Sequence, residues 1–309
     1  MPLNSRAAVK CVTIEPMSTQ ILVTGATGKF GKEVLKRLSG KGLGVAALAR
    51  NPEKAQSLVP EGVSIVFGDL SRPETLDAAL DGVEKVLLAS SADLNQGQNQ
   101  SNLVQAAKRA GVRYIVKLSA IGADPNSPIS VARAHARTEQ ELAESGIPHT
   151  NLRPNFFMQN MLNSAGTIVS RGEFYSCARD GKGGYVDVGD IAAVAAACLT
   201  KDGHAGKSYL ITGPESLSLH DIAAKLSAAV GKEVKYVDLA PEAFRQALLK
   251  AGYPEWRVDG LVALFSECAE GKMDIVTDVV QKVAGKQPVT FDEFARQNAA
   301  AFKEQGAAA

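Results

Sequence analysis

Ile21-Leu22-Val23-Thr24-Gly25-Ala26-Thr27-Gly28-Lys29-Phe30-Gly31 decides the fold. An apolar run ends in glycines, and Phe30, Val34, Leu35 and Leu38 follow at helical spacing. The first glycine permits a tight turn, the second lets the backbone approach a pyrophosphate, and the third lets the helix pack closely. The helix N-terminus then faces the phosphate charge. Lys32 is followed by Glu33 rather than Ser or Thr, so this is not the loop of a nucleoside triphosphatase. A bare structural turn is the alternative. Strand before, helix after and a second strand at the right distance favour a dinucleotide site formed by Gly25, Thr27, Gly28, Lys29, Phe30 and Gly31.

Outward from this loop the chain alternates. Apolar strands are expected over 45–49, 63–67, 85–89, 114–119 and 149–153, with helices over 55–58, 73–80, 102–110 and 134–144 between them. Such a rhythm implies an α/β fold, a Rossmann-type doubly wound parallel sheet covered on both faces. After Pro154 the pattern changes to a glycine-rich stretch, a helix over 191–199 with Asp190 as its N-cap, and further helices with short strands. The expected division is an N-terminal tail (1–18, disordered or derived from an upstream start codon), a Rossmann domain (19–155), and a smaller α+β substrate lobe (156–309) packed on it.

An NAD site usually places a carboxylate about 20 residues beyond the glycines, to bond the ribose 2′-hydroxyl. Here Ala49-Arg50-Asn51 occupies that place, and a guanidinium there suits a 2′-phosphate, so NADPH is the expected cofactor. Asp69 closes the third strand and either reaches the adenine edge or caps a turn. Ser90 and Ser119 end the fourth and fifth strands at the carboxyl edge, where small side chains let a nicotinamide ribose lie against the backbone.

The six tyrosines have Leu118, Arg179, Gly189, Gly213, Ala240 and Arg257 four places later, so no Tyr-x-x-x-Lys pair exists for ordinary carbonyl reduction. His135 is the candidate catalytic group, with Glu139 one turn on as a hydrogen-bond partner. Asn155, Phe156 and Phe157 follow the sixth strand and are read as a substrate wall. Hydride transfer to a quinone or a dye needs chiefly a positioned nicotinamide between apolar walls.

Lys plus Arg number 34 against 33 Asp plus Glu, which excludes the basic excess that a nucleic-acid or anionic-membrane partner selects. Cys11, Cys177, Cys198 and Cys268 are too scattered for a disulfide framework or a zinc ribbon, and no metal is expected. A cytoplasmic protein is the expectation.

Taken together, the Val23–Gly28 loop, Ala49-Arg50-Asn51-Pro52, His135 with Thr138-Glu139, and Ser145–Pro154 resemble the NmrA-like branch of atypical short-chain dehydrogenases. Within it the chain looks most like bacterial NAD(P)H:quinone oxidoreductases. The resemblance implies NADPH and no flavin or metal. It carries the phosphate loop onto Gly25, Thr27, Gly28, Phe30 and Gly31, and the 2′-phosphate reader onto Arg50. Two functions are weighed: an NADPH-dependent reductase of a quinone or dye-like acceptor, and a non-enzymatic NAD(P)-binding sensor acting on a protein partner. A homodimer is the candidate assembly.

Overall fold

The computed structural model describes residues 20–303; Cys11 and the expected tail over 1–18 lie outside the described residues. The first half runs β1 (Ile21–Val23), α1 (Lys29–Leu38), β2 (Val45–Ala49), α2 (Pro52–Gln56), β3 (Ser64–Phe67), α3 (Leu76–Ala79) and β4 (Lys85–Leu88). It continues α4 (Gln96–Arg109), β5 (Tyr114–Leu118), α5 (Ser130–Ser145) and β6 (His149–Pro154). Then come α6 (Ala165–Arg171), β7 (Glu173–Ser176), β8 (Lys182–Gly183), α7 (Val188–Thr200), β9 (Ser208–Ile211) and β10 (Leu217–Ser218). The chain closes with α8 (Leu219–Val230), β11 (Lys235–Asp238), α9 (Pro241–Lys250), α10 (Glu255–Ala269) and α11 (Phe291–Gln297).

Seven strands form one sheet in the order β3-β2-β1-β4-β5-β6-β9, and every neighbouring pair is parallel. This is the expected doubly wound α/β sheet, whose order reverses between β1 and β4, the place where such sheets bind ligands. Successive residues of β1 point to opposite faces. Ile21 and Val23 join Val34, Leu35, Leu38, Ile191 and Val194 on one side, while Leu22 joins Val86, Leu88, Leu103, Val104 and Leu142 on the other. Each of the fully buried leucines contributes about 1.5–3 kcal/mol of transfer free energy. A third apolar cluster of Phe156, Met158, Phe174, Tyr185, Leu226, Phe291 and Phe294 lies under α8 and α11.

The structure moves several sequence boundaries. α7 and β9 lie beyond residue 155, yet they pack on α1 and pair with β6 in the central sheet. The N-cap of α7 is Asp187, whose carboxylate accepts from Gly189 N at 2.7 Å, and not Asp190. Asp190 sits one turn inside, fully buried, where it pairs with Lys286 and accepts from Val289 N at 2.7 Å. α4 starts at Gln96 rather than 102, because its first turns are buried through glutamines and glycine instead of an apolar stripe. Gln100 Nε2 donates to Ser90 Oγ at 2.9 Å, and a Cβ on Gly97 would meet Ala134 at 3.6 Å. No helix among the described residues is long and apolar enough to cross a membrane.

Candidate active site

The glycine loop lines a cleft of about 690 Å³ at the carboxyl edge of the sheet. Gly25 has φ +62°, a conformation that side-chain-bearing residues rarely adopt, and Gly28 N donates to Gly25 O at 3.0 Å to close the turn. A Cβ at Gly31 would lie 2.3 Å from Gly25 O, so only glycine lets α1 pack this closely against its own loop. Thr24 ties β1 to β4 across the switch point: its Oγ1 donates to Ala89 O at 2.6 Å and accepts from Ala89 N at 2.8 Å. The first turn of α1 carries no acidic residue, leaving its N–H groups and dipole open to an anion.

Arg50 and Lys54 stand on this cleft beyond β2, and Arg50 forms no ion pair among the described residues. Asp69 is on the lining too, but its Oδ1 is engaged by Ser71 N (2.9 Å) and Ser71 Oγ (2.7 Å), so it caps the turn after β3. Partial burial pushes the Asp69 carboxyl up, but the Ser71 bonds and the charges of Arg50 and Arg72 outweigh it and hold the pKa below the usual value. Of the sequence-derived cofactor residues, Gly25, Thr27, Gly28, Lys29, Phe30, Gly31, Arg50, Asp69 and Ser90 line this cleft. Ser119 does not. It lines a second cleft, because its hydroxyl turns back to donate to Glu139 Oε1 at 2.5 Å.

The second cleft, about 570 Å³, shares Ser90, Leu118 and Phe157 with the first. Its wall holds Asn155, Phe156 and His135 together with Trp256, Arg257 and Leu264 of α10, and no Asp or Glu. Phe156 is held by stacking between Tyr185 (centroids 5.1 Å apart) and Phe265 (5.8 Å). Asn155 is fixed from both ends: its Nδ2 donates to Met273 O at 2.9 Å and its Oδ1 accepts from Phe156 N at 2.8 Å. No tyrosine lines either cleft.

His135 is nearly buried at 7% exposure, and its partners differ from those expected. Glu139 does not reach it, being bound to Ser119 and to Arg153 of β6. Instead, Lys117 of β5 places Nζ 2.9 Å from His135 Nδ1, and Gln96 of α4 places Nε2 3.1 Å from His135 Nε2. Burial, with the charge of Lys117 added, holds the His135 pKa well below its ordinary value. Near neutral pH the ring is therefore an uncharged hydrogen-bonding group, not a cationic acid.

Residues 17–295 match the NmrA-like family. The chain belongs to it. An NAD(P)H azoreductase of Xenophilus azovorans is 43% identical over 282 residues, covering 91% of this chain and 99% of that protein. Among solved structures, the NADPH-dependent quinone oxidoreductase QOR2 of Escherichia coli, complexed with NADPH, superposes with a TM-score of 0.83 at 34% identity. The match covers 90% of this chain and 99% of that one. The triphenylmethane reductase of Citrobacter sp. complexed with NADP(H) gives 0.81 at 29% identity, covering 91% and 100%.

In this NmrA-like chain the sequence reading missed Lys117, Gln96, Trp256 and Arg257. Lys117 left one trace: a charged residue inside the otherwise apolar strand Tyr114-Ile115-Val116-Lys117-Leu118. Such a lysine is fully buried only when a partner waits for it. Trp256 and Arg257 left none, since the helix that bears them reaches the cleft only through the packing of distant segments.

Proposed function

We propose that this NmrA-like chain is an NADPH-dependent oxidoreductase that reduces a flat conjugated acceptor of the quinone or azo type. The single observation that carries the reading is the meeting of the two clefts at Ser90, Leu118 and Phe157. A dinucleotide laid from Arg50 over the glycine loop toward Ser90 would present its nicotinamide end at that junction. When bound, NADPH supplies a hydride. The glycine loop and α1 hold its pyrophosphate, and Arg50 with Lys29 reads the 2′-phosphate in preference to NADH.

The acceptor lies against Phe156, Phe157 and Trp256, which exclude water, and Phe157 and Trp256 offer aromatic faces to a planar ring. His135 contacts its reacting end as a neutral hydrogen-bonding group. A quinone takes one hydride and one proton to become a hydroquinone. An azo bond takes the same to become a hydrazo compound, and a second round would be needed to part its nitrogens. The segments beyond residue 155 other than α7 and β9 act as the substrate lobe, with α10 as the cover of the acceptor cleft. A sensor that only reads the nucleotide has no use for a second cleft against the nicotinamide end, and this favours the enzyme.

The test is the loss of reduced-nicotinamide absorbance by the purified protein with a panel of quinones, azo dyes and cationic dyes, under NADPH and under NADH. Saturable turnover with a preference for NADPH is expected. Tight nucleotide binding without turnover on any acceptor would overturn the enzymatic reading.

A further inference from the structure

The imidazole of His135 meets two groups that both bear N–H donors: Lys117 Nζ at 2.9 Å from Nδ1, and Gln96 Nε2 at 3.1 Å from Nε2 and a longer 3.5 Å from Nδ1. A neutral imidazole has one N–H and one lone pair, so it cannot accept from both. Two tautomers are open to the ring, and a Lys117 amine that goes on donating to Nδ1 through its remaining N–H groups keeps the first of them. In one, Lys117 is an ammonium donating to Nδ1, the ring proton is on Nε2, and the Gln96 amide makes half a turn to offer Oε1. In the other, Lys117 is an amine that accepts from Nδ1–H, and Gln96 Nε2 donates to the Nε2 lone pair as the amide now stands. Gln96 Oε1 is buried without a hydrogen-bond partner among the described residues, so the half turn breaks no bond at that atom.

We propose that Lys117 is a positioning residue that selects the tautomer of His135, so that the ring nitrogen beside Gln96 is a donor when Lys117 is protonated and an acceptor when it is not. Gln96 and His135 both line the acceptor cleft, whereas Lys117 does not and is fully buried, so it acts only through the ring. Passing from one arrangement to the other moves a proton from Lys117 to Nδ1 and releases one from Nε2. The ring stays neutral, and the pair loses one proton in all. If the cleft receives an acceptor as proposed above, that released proton is available to the anion left by hydride transfer; on return, Nε2 takes a proton from the cleft side and Nδ1 gives its own back to Lys117.

The charged groups acting on Lys117 come from two elements. Burial dominates and lowers its pKa to about 7, while Glu139 of α5 opposes this and Arg153 of β6 adds to it. The His135 pKa lies well below this, also through burial and then the Lys117 charge, so the lysine and not the ring carries the charge change near neutrality.

The test reads the ring directly. With ¹⁵N-labelled histidine, the Nδ1 and Nε2 shifts of the four histidines are followed across neutral pH in the protein without nucleotide or acceptor, and His135 is assigned by its loss in His135→Gln. The expected result is a neutral ring whose proton moves from Nε2 to Nδ1 as pH rises, and a single pH-invariant tautomer in Lys117→Met. A wild-type ring that keeps one tautomer throughout, or one that becomes cationic in this range, overturns the proposal and needs no variant to do so. The same titration surviving in Lys117→Met overturns it as well. Because no acceptor is present, absence of turnover in the reductase assay sinks the proposed function and leaves this result standing.

Discussion

Lys117 Nζ and His135 Nδ1 lie 2.9 Å apart, and Glu139 is turned away to Ser119 and Arg153. Among the described residues no carboxylate bonds the lysine, so its charge is buried against an imidazole and a backbone carbonyl, Leu118 O at 3.4 Å. An ion in such a place loses hydration that these neutral partners only partly replace.

That arrangement makes stability depend on pH in a defined direction. An unfolded chain holds the lysine proton up to its ordinary value of 10.5, while the folded protein releases it at about 7. Between those values the unfolded state binds more protons, so stability rises with pH; below about 7 both states are protonated and the cost of the buried charge is full. Denaturant unfolding of wild type and Lys117→Met at pH 7 and 9 isolates the effect, since other titrations cancel in the difference. Wild type should gain about 2 kcal/mol relative to the variant over that interval. Parallel changes in the two proteins would contradict a lowered lysine pKa.

Arg50 stands just beyond β2 on the glycine-loop cleft, proposed above to hold the nucleotide, with no ion pair to occupy it among the described residues. Arg50→Ala should weaken NADPH binding by about 1.5–3 kcal/mol, roughly 10- to 150-fold, and leave NADH nearly untouched. Titration calorimetry with both nucleotides measures the ratio. An equal loss for both would remove Arg50 from the 2′-phosphate.

The sheet and the gathering of the glycine loop and Arg50 on one cleft were legible because each rests on short-range rules. Val23-Thr24-Gly25 sets a turn through one positive φ, and the place of Arg50 follows from the length of one strand–helix–strand unit. His135 was legible as a residue but not in its state. Helical spacing offered Glu139 as its partner, yet Arg153 on the neighbouring strand takes that carboxylate. The contacts that define the imidazole cross from α5 to β5 and α4, and nothing in local periodicity registers them. The substrate side fared likewise: Asn155 and Phe156 follow the sixth strand and were read from position alone, while α10 reaches them from about a hundred residues away.

Gly31 tests the phosphate loop without touching a charge. A Cβ there would lie 2.3 Å from Gly25 O and 2.8 Å from Ala26 Cα, backbone atoms of the loop that cannot swing aside as a side chain could. Gly31→Ala should therefore displace α1 from its loop, lower stability by about 1–3 kcal/mol and weaken NADPH and NADH alike. Thermal unfolding with and without each nucleotide separates the two effects. A variant of wild-type stability that binds both nucleotides normally would show that the loop tolerates a different path.

If the second cleft receives the acceptor as proposed, Arg257 bears on which acceptors it prefers. Among the described residues it is the one Lys or Arg on that wall and no carboxylate shares the lining, and its guanidinium sits 5.3 Å from the centre of the Tyr253 ring. The lining at this end of the cleft therefore presents one positive charge, which favours acceptors carrying sulfonate or carboxylate groups over cationic dyes. Because Arg257 is exposed, water screens the effect, and an exposed pair is worth only about 0.2–1 kcal/mol. Arg257→Glu should accordingly raise KM for a sulfonated azo dye and lower it for a cationic dye, each by about 1.5- to 5-fold, with the values for an uncharged quinone unchanged. Opposite signs for the two dyes are the decisive feature, since a merely structural defect would move all three acceptors in one direction.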